Sequence, residues 1–276
     1  MPLALEPEQI TNYHADGWLS PLDLLSADQA AAARAHLEAF EADHGPMSGR
    51  AERSRAYLPF SWIDDIMRHP TLVDMVEDLI GPDILCWNAI FWVKEPGAES
   101  FVGWHQDAAY WGLDNRELVS VWVALADASE EAGCMSVLPG SHQVEMTHDE
   151  TYDEDNLLTR GQHIHDINSA NIVAMPLRPG QVSFHNIGTA HGSGTNSTED
   201  RRIGLSLHYM PTHTRQTLAD WDSAALVRGT DVHNHFDHAP RPTTDLDPAI
   251  MEYHARSSEA LRKIVYDGAK TTRTTL

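Results

Sequence analysis

The chain has 276 residues, 42% of them hydrophobic, and sets 19 basic against 41 acidic residues for a net charge of −22 with histidine neutral. That acidic excess argues against nucleic acid and anionic membrane surfaces as partners, since both need basic patches, and no apolar run is long enough to span a bilayer. Cys86 and Cys134 are too few for a disulfide framework, and the opening Met1-Pro2-Leu3-Ala4-Leu5-Glu6 lacks the basic and apolar regions of a secretory signal, so a cytoplasmic setting is expected.

The N-terminal part reads as helical. Residues 7–14 precede Asp16-Gly17-Trp18-Leu19, where Gly17 can end a helix. Ser26 is a natural N-cap for an alanine-rich helix running to about Ala42, with Ala30, Ala33, Leu37 and Phe40 on one face at helical spacing. Residues 45–55 form a polar loop, and a further helix is predicted over 70–80, ended by Gly81-Pro82, with Leu72, Val73, Val76, Leu79 and Ile80 inward.

From Ile84 the pattern changes to short β-type runs at 84–93, 101–104, 118–125, 134–138, 182–185 and 203–210. Turn residues separate them, as at Glu95-Pro96-Gly97, Pro139-Gly140-Ser141-His142 and Arg178-Pro179-Gly180. The run 118–125 alternates only in part, as expected of a strand covered on both faces. The interval 143–172 is acidic and poor in apolar residues, the composition of a lid or a mobile surface loop. These features predict one mainly β domain over 1–276. A helical layer (1–82) would pack on an antiparallel double-sheet jelly roll (84–210), the double-stranded β-helix of cupin-like proteins, followed by a C-terminal loop and helix (211–276, helix 248–265).

His105 and Asp107 lie two apart in a segment that reads as strand, so both side chains leave one face about 6–7 Å apart. A histidine and a carboxylate with a second histidine from elsewhere make the facial triad of non-heme Fe(II) oxygenases. His191 follows the strand at 182–186, precedes that at 203–210, and could complete the set from a strand end. Arg202, just inside the next strand, could hold the far carboxylate of a dicarboxylate bidentately. Three protein ligands leave three positions open, two for a chelating 2-oxo acid and one for dioxygen.

His105-Gln106-Asp107, Trp122-Val123-Ala124-Leu125, the stretch Gly133-Cys134-Met135-Ser136-Val137-Leu138-Pro139-Gly140-Ser141-His142 and the residues from His191 to Arg202 together resemble the phytanoyl-CoA dioxygenase family over about residues 84–210. These are Fe(II)- and 2-oxoglutarate-dependent oxygenases that use O2. The resemblance implies that His105, Asp107 and His191 ligate iron and that Arg202 pairs with the C5 carboxylate of 2-oxoglutarate. It also implies that Ser193 adds a hydroxyl to that carboxylate and that Asn88 contacts the cosubstrate. Halogenating relatives lack the carboxylate ligand, so Asp107 points to hydroxylation.

Other residues have plainer readings. Arg201 should face away from Arg202 and pair with Glu199 or Asp200 at the surface. Ser193 reads equally well as a turn residue. Tyr110 and Trp111 are expected at the pocket rim, where they could stack on substrate. The run with His233, His235 and His238 has apparent metal spacing but reads as a polar loop. His208 reads as a hydrogen-bonded barrel histidine, His163 and His165 as part of the insertion, and Trp104 and Trp122 as core or pocket wall. The substrate expected is a small polar or zwitterionic metabolite, such as an aminoalkyl phosphonate or amino-acid derivative, acted on by a monomer or homodimer. Tailoring of a natural product is the alternative, and a non-catalytic or isomerase-type cupin-like metal protein is the reading from another class.

Overall fold

Val119-Ser120-Val121-Trp122-Val123-Ala124 alternates valine with small, polar or indole side chains, and every one of these residues is buried. The valines face a helical layer and the intervening residues face a second sheet, which accounts for the partial alternation read from the sequence. The computed structural model describes residues 2–272.

The chain begins with α1 (Pro7–Asp16), β1 (Trp18–Asp23), α2 (Ala27–His44), α3 (Ser61–Met67) and α4 (Pro70–Ile80). It continues through β2 (Ile84–Lys94), β3 (Val102–His105), β4 (Val119–Ala124), β5 (Met135–Val137), β6 (Asp149–Glu150), β7 (Gln162–His163) and β8 (Val173–Met175). The remainder is β9 (Gln181–Asn186), β10 (His191–Ser193), β11 (Arg202–Pro211), β12 (Ser223–Arg228), β13 (Asp237–His238) and α5 (Pro248–Val265). A seven-stranded sheet, β1-β9-β4-β11-β2-β12-β13, packs against a four-stranded sheet, β3-β10-β5-β8, and β6 and β7 pair separately. This is the mainly β double-sheet jelly roll expected, with helices on the outer face of the large sheet. Among the described residues no helix is long and apolar enough to cross a membrane.

Capping sets the helix starts. Ser26 Oγ accepts from Gln29 N at 3.2 Å while Gln29 Oε1 accepts from Ser26 N at 2.8 Å, a reciprocal box that opens α2. Tyr13, Leu37, Ile63, Leu72 and Val76 from the helices share one apolar cluster with Val119, Val121, Val123, Phe184, Leu205 and Leu207 from the sheet.

Three elements differ from the sequence reading. Gly17, at φ 82, ends α1, but the next residues join the large sheet as its edge strand β1 rather than continuing a helical layer. Pro21 suits an edge, because proline cannot donate to a ladder. The region after 210 is not only loop and helix, since β12 pairs with β2. Helix α3 is too short to show helical periodicity.

The inner face of the large sheet carries the polar residues in rows. Asn88, His208, Ser120 and His185 stand opposite one another across β2, β11, β4 and β9. Ile90, Ser206, Trp122 and Ser183 form the next row, and Lys94 and Arg202 pair at the far end. Residues directly opposite on antiparallel strands project to one face, so these rows form the floor of the space between the sheets.

Candidate active site

His105 ends β3 and His191 begins β10, and the two are partners in the antiparallel register. Their rings therefore lie side by side, with centroids 4.2 Å apart. Asp107 opens a short 3-10 turn immediately after β3, and its Oδ1 is 3.3 Å from His105 Nε2. One ligand atom from each of His105, Asp107 and His191 lies within 4.8 Å of the others. All three residues are buried.

Backbone carbonyls fix both imidazoles. His105 Nδ1 is 2.8 Å from Gly103 O and His191 Nδ1 is 2.9 Å from Thr189 O. A carbonyl can only accept, so each Nδ1 carries the proton and each Nε2 presents a lone pair. Burial holds His191 well below the usual histidine range, with His105 and His185 adding to the effect. Burial raises the Asp107 carboxyl, but the surrounding His105, His185 and His191 outweigh it and hold the group well below the carboxylate range. A neutral imidazole beside a carboxylate is the protonation pattern that metal binding requires.

Gln106 faces away from its two neighbours and fastens the loop. Its Nε2 donates to Gly188 O at 2.6 Å, Val144 O at 2.8 Å and Ser141 O at 3.1 Å, and its Oε1 accepts from Met146 N at 2.9 Å. Its backbone N–H donates to His148 Nε2 at 2.8 Å. The segment between the two ligands is thereby tied to the start of the 143–172 insertion.

Arg202, the first residue of β11, lies on the inner floor with its Cζ 5.1 Å from the Trp122 ring centroid. Its Nη2 donates to Ser193 Oγ and Gly133 O, each at 3.1 Å. Its Nε is buried without a hydrogen-bond partner among the described residues, and burial brings the guanidinium down to about 10. Ser193 also receives Lys94 Nζ at 2.7 Å, so it is more than a turn residue. Asn88 lines the same cavity, although its Oδ1 already accepts from Arg55 N at 2.8 Å.

The cavity encloses about 1020 Å3, its open mouth included, and contains all the sequence-predicted site residues in its walls. Trp111 stacks edge-on against His208 at 4.5 Å and lies 5.0 Å from Trp87. Trp87 is itself held by Asp222, whose Oδ2 accepts the indole N–H at 2.6 Å while Oδ1 pairs with Arg55 at 2.6 Å. Tyr110 sits under the Arg160 guanidinium at 5.2 Å. His208 is hydrogen-bonded as expected, with Nδ1 2.9 Å from Ser120 Oγ.

Sequence reasoning missed several groups. His185 is buried in the cavity wall with Nε2 3.8 Å from Asp107 Oδ2 and its ring 4.4 Å from His191. Leu157, Leu158 and Thr159 of the insertion and Leu261 and Val265 of α5 complete the mouth. Only the strand register could have revealed His185, which stands opposite Ser120. The His233, His235 and His238 loop does not line this cavity; His235 and His238 border a separate surface groove beside Asp220 and Trp221. Arg201 pairs with Glu41 at 2.8 Å and Glu95 at 2.8 Å rather than with Glu199 or the Asp200 side chain. The Asp200 carboxylate is instead taken by Arg34.

A model of the phytanoyl-CoA dioxygenase (PhyH) family matches residues 13–204. The chain belongs to this family. It is 30% identical over 182 residues to a probable alpha-ketoglutarate-dependent hypophosphite dioxygenase of Stutzerimonas stutzeri, covering 62% of this chain and 60% of that protein. It is 28% identical over 147 residues to the peroxisomal phytanoyl-CoA dioxygenase of Bos taurus, covering 51% of this chain and 43% of that protein. The chain thus spans roughly half the length of the curated relatives it matches. Among solved structures, the non-heme monooxygenase ThoJ in its apo form is 33% identical at a TM-score of 0.81, with 93% of this chain and 97% of that one covered. CytC3 with Fe(II) and alpha-ketoglutarate, at 21% identity and a TM-score of 0.63 over 85% and 93% of the two chains, shares the fold.

The groups of a phytanoyl-CoA dioxygenase family member, Fe(II) and 2-oxoglutarate, fit the residues present. The donor set is two imidazole Nε2 atoms and a carboxylate with their second nitrogens already engaged, and a buried guanidinium with an unpartnered Nε stands on the same floor.

Proposed function

We propose that the protein is an Fe(II)- and 2-oxoglutarate-dependent dioxygenase that hydroxylates an unactivated C–H bond, with release of succinate and carbon dioxide. The observation that carries this is the convergence of one ligand atom from each of His105, His191 and Asp107 within 4.8 Å, with both Nδ1 atoms bound to carbonyls. Together the metal and the 2-oxo acid supply oxidative decarboxylation coupled to C–H oxidation by dioxygen.

The side chains divide the remaining tasks. His105, Asp107 and His191 would hold the metal through two imidazole nitrogens and a carboxylate. Arg202 and Ser193 would hold the distal carboxylate, and Asn88 lines the same cavity. Trp87, Trp92, Trp111, Leu157, Leu158 and Leu261 exclude water from the space beside the metal. Asp107 retains the carboxylate ligand, which favours hydroxylation over halogenation. An arginine poised for a carboxylate also speaks against a non-catalytic or isomerase-type metal protein.

Those apolar walls bear on the substrate. Asp107 is the only acid lining the cavity among the described residues, so a substrate ammonium would find no carboxylate there apart from the proposed metal ligand and would be left to aromatic faces. A substrate presenting an apolar, ring-bearing portion to Trp87, Trp111 and the leucines suits these walls better. This favours the tailoring of a natural product over the small polar metabolite expected from the sequence. The test is Fe(II)-dependent succinate formation from 2-oxoglutarate in air. The proposal predicts turnover that a panel of ring-bearing compounds stimulates and that His191→Ala abolishes; turnover indifferent to Fe(II) and to that substitution would remove it.

A further inference from the structure

Lys94 ends β2 directly opposite Arg202, the first residue of β11, so the two cationic side chains leave one face of the sheet side by side. Like charges in that relation repel. Both are also sealed from water, Lys94 at 0% and Arg202 at 3% exposure. Their recorded hydrogen-bond partners are neutral: Lys94 Nζ reaches Ser193 Oγ at 2.7 Å and the Gly194 carbonyl, and Arg202 Nη2 reaches the same Ser193 Oγ and Gly133 O, each at 3.1 Å. Elsewhere on this strongly acidic chain, arginines are paired with carboxylates, as Arg34, Arg55 and Arg201 are. Two buried basic groups meeting at one hydroxyl have the composition of a carboxylate-binding site.

We infer that Lys94 is a second basic anchor for the distal carboxylate of the 2-oxo dicarboxylate, acting with Arg202 across Ser193. This rests on the proposed function and adds a residue to it. Burial first, and then Arg202, push the Lys94 ammonium down to about 6, so near pH 7.5 the side chain is an amine. A carboxylate arriving beside it favours the charged form. Cosubstrate binding therefore transfers one proton from solvent to Nζ, and affinity falls as pH rises. The groups facing Lys94 are Arg202 from β11 and Cys134 just before β5, whose thiol burial pushes up and keeps neutral. From the end of β10 and the turn after it, the Ser193 hydroxyl and the Gly194 carbonyl face it.

Anaerobic calorimetry tests this by titrating 2-oxoglutarate into the Fe(II)-loaded protein at pH 7.5 in two buffers of different ionisation enthalpy. The wild type is expected to take up a substantial fraction of one proton per 2-oxoglutarate. Lys94→Met, similar in length and apolar, should bind about tenfold or more weakly and lose that uptake. Lys94→Gln should behave likewise, and thermal melts of both variants verify folding. Binding by Lys94→Met within about twofold of wild type would overturn the inference. So would weaker binding with proton uptake unchanged, which would make Lys94 a mere support for the Ser193-Gly194 turn. Wild-type binding without proton uptake overturns this inference alone, whereas no binding of 2-oxoglutarate by the wild type overturns the proposed function together with it.

Discussion

Gly204 lies directly beneath the Trp122 indole: a β-carbon at 204 would come within 1.8 Å of Trp122 Cζ2 and 2.1 Å of Cε2. On the paired strands β11 and β4, Gly204 stands opposite Ala124 and Trp122 opposite Ser206, so the indole leans diagonally across to Gly204, and it in turn carries the Arg202 guanidinium 5.1 Å above its centroid. Glycine is needed here for space rather than for backbone conformation. Gly204→Ala should push the indole toward Arg202, lower stability by about 1–3 kcal/mol as over-packing does, and weaken 2-oxoglutarate binding. Thermal unfolding with a cosubstrate titration measures both; an unchanged melting temperature would contradict the contact.

His185 is expected to orient Asp107. Both of its ring nitrogens are buried without hydrogen-bond partners among the described residues, and Nε2 is 3.8 Å from the carboxylate oxygen Oδ2 that lies away from His105. Groups that orient a ligand in this way typically matter about 10–100-fold in metal affinity. His185→Leu should weaken Fe(II) binding to that degree while leaving the fold intact, as read by anaerobic metal titration beside far-ultraviolet circular dichroism. Fe(II) affinity equal to wild type would remove His185 from the account.

Burying Lys94 has a stability consequence with a definite sign. Its folded value, about 6, lies below the usual 10.5, so between these values the unfolded chain binds more protons and stability rises with pH. Each unit of displacement is about 1.4 kcal/mol, an order-of-magnitude guide only. Lys94→Met should therefore be more stable than wild type at pH 7, with the gap widest below about pH 6 and closing toward pH 10. Chemical denaturation across that range would show it, and a pH-independent gap would contradict it.

Arg160 ties the insertion to the C-terminal end of α5. It donates to Glu150 Oε1 at 2.9 Å, Val265 O at 2.7 Å and Asp267 O at 2.7 Å, the last two at the helix end, where a cation is favoured. Arg160→Met should raise amide exchange in both 150–162 and 262–270 while leaving the anaerobic Fe(II)–2-oxoglutarate signal in place. Exchange that rose in only one of the segments would show that they are not joined through this residue.

The metal triad and Arg202 were legible because their evidence is local: two ligands share one strand end, and His191 and Arg202 bracket one turn. Ser193 and Asn88 were named through the family resemblance, and Trp122 read as core or pocket wall. His185 and Lys94 were not legible, because their roles come from register, with His185 beside Asp107 and Lys94 opposite Arg202 only once β9 and β2 are paired into the sheet. Strands β1 and β12 join that sheet from segments whose composition resembles loop. The cover was illegible in a different way: Leu157 and Leu158 are isolated apolar residues in an acidic stretch, and long-range contacts such as those of Arg160 and Tyr266 are what set them in one cavity wall with Leu261 and Val265 of a helix about a hundred residues later.

The most direct test of the central claim is the visible spectrum of the protein after anaerobic addition of Fe(II) and then 2-oxoglutarate. Chelation by the 2-oxo acid at a site with three protein ligands predicts a weak metal-to-ligand charge-transfer band. That band should be lost in His105→Ala and should require far more 2-oxoglutarate in Arg202→Ala. A wild-type protein that binds Fe(II) but develops no band on adding 2-oxoglutarate, or a band that survives His105→Ala unchanged, would contradict the account.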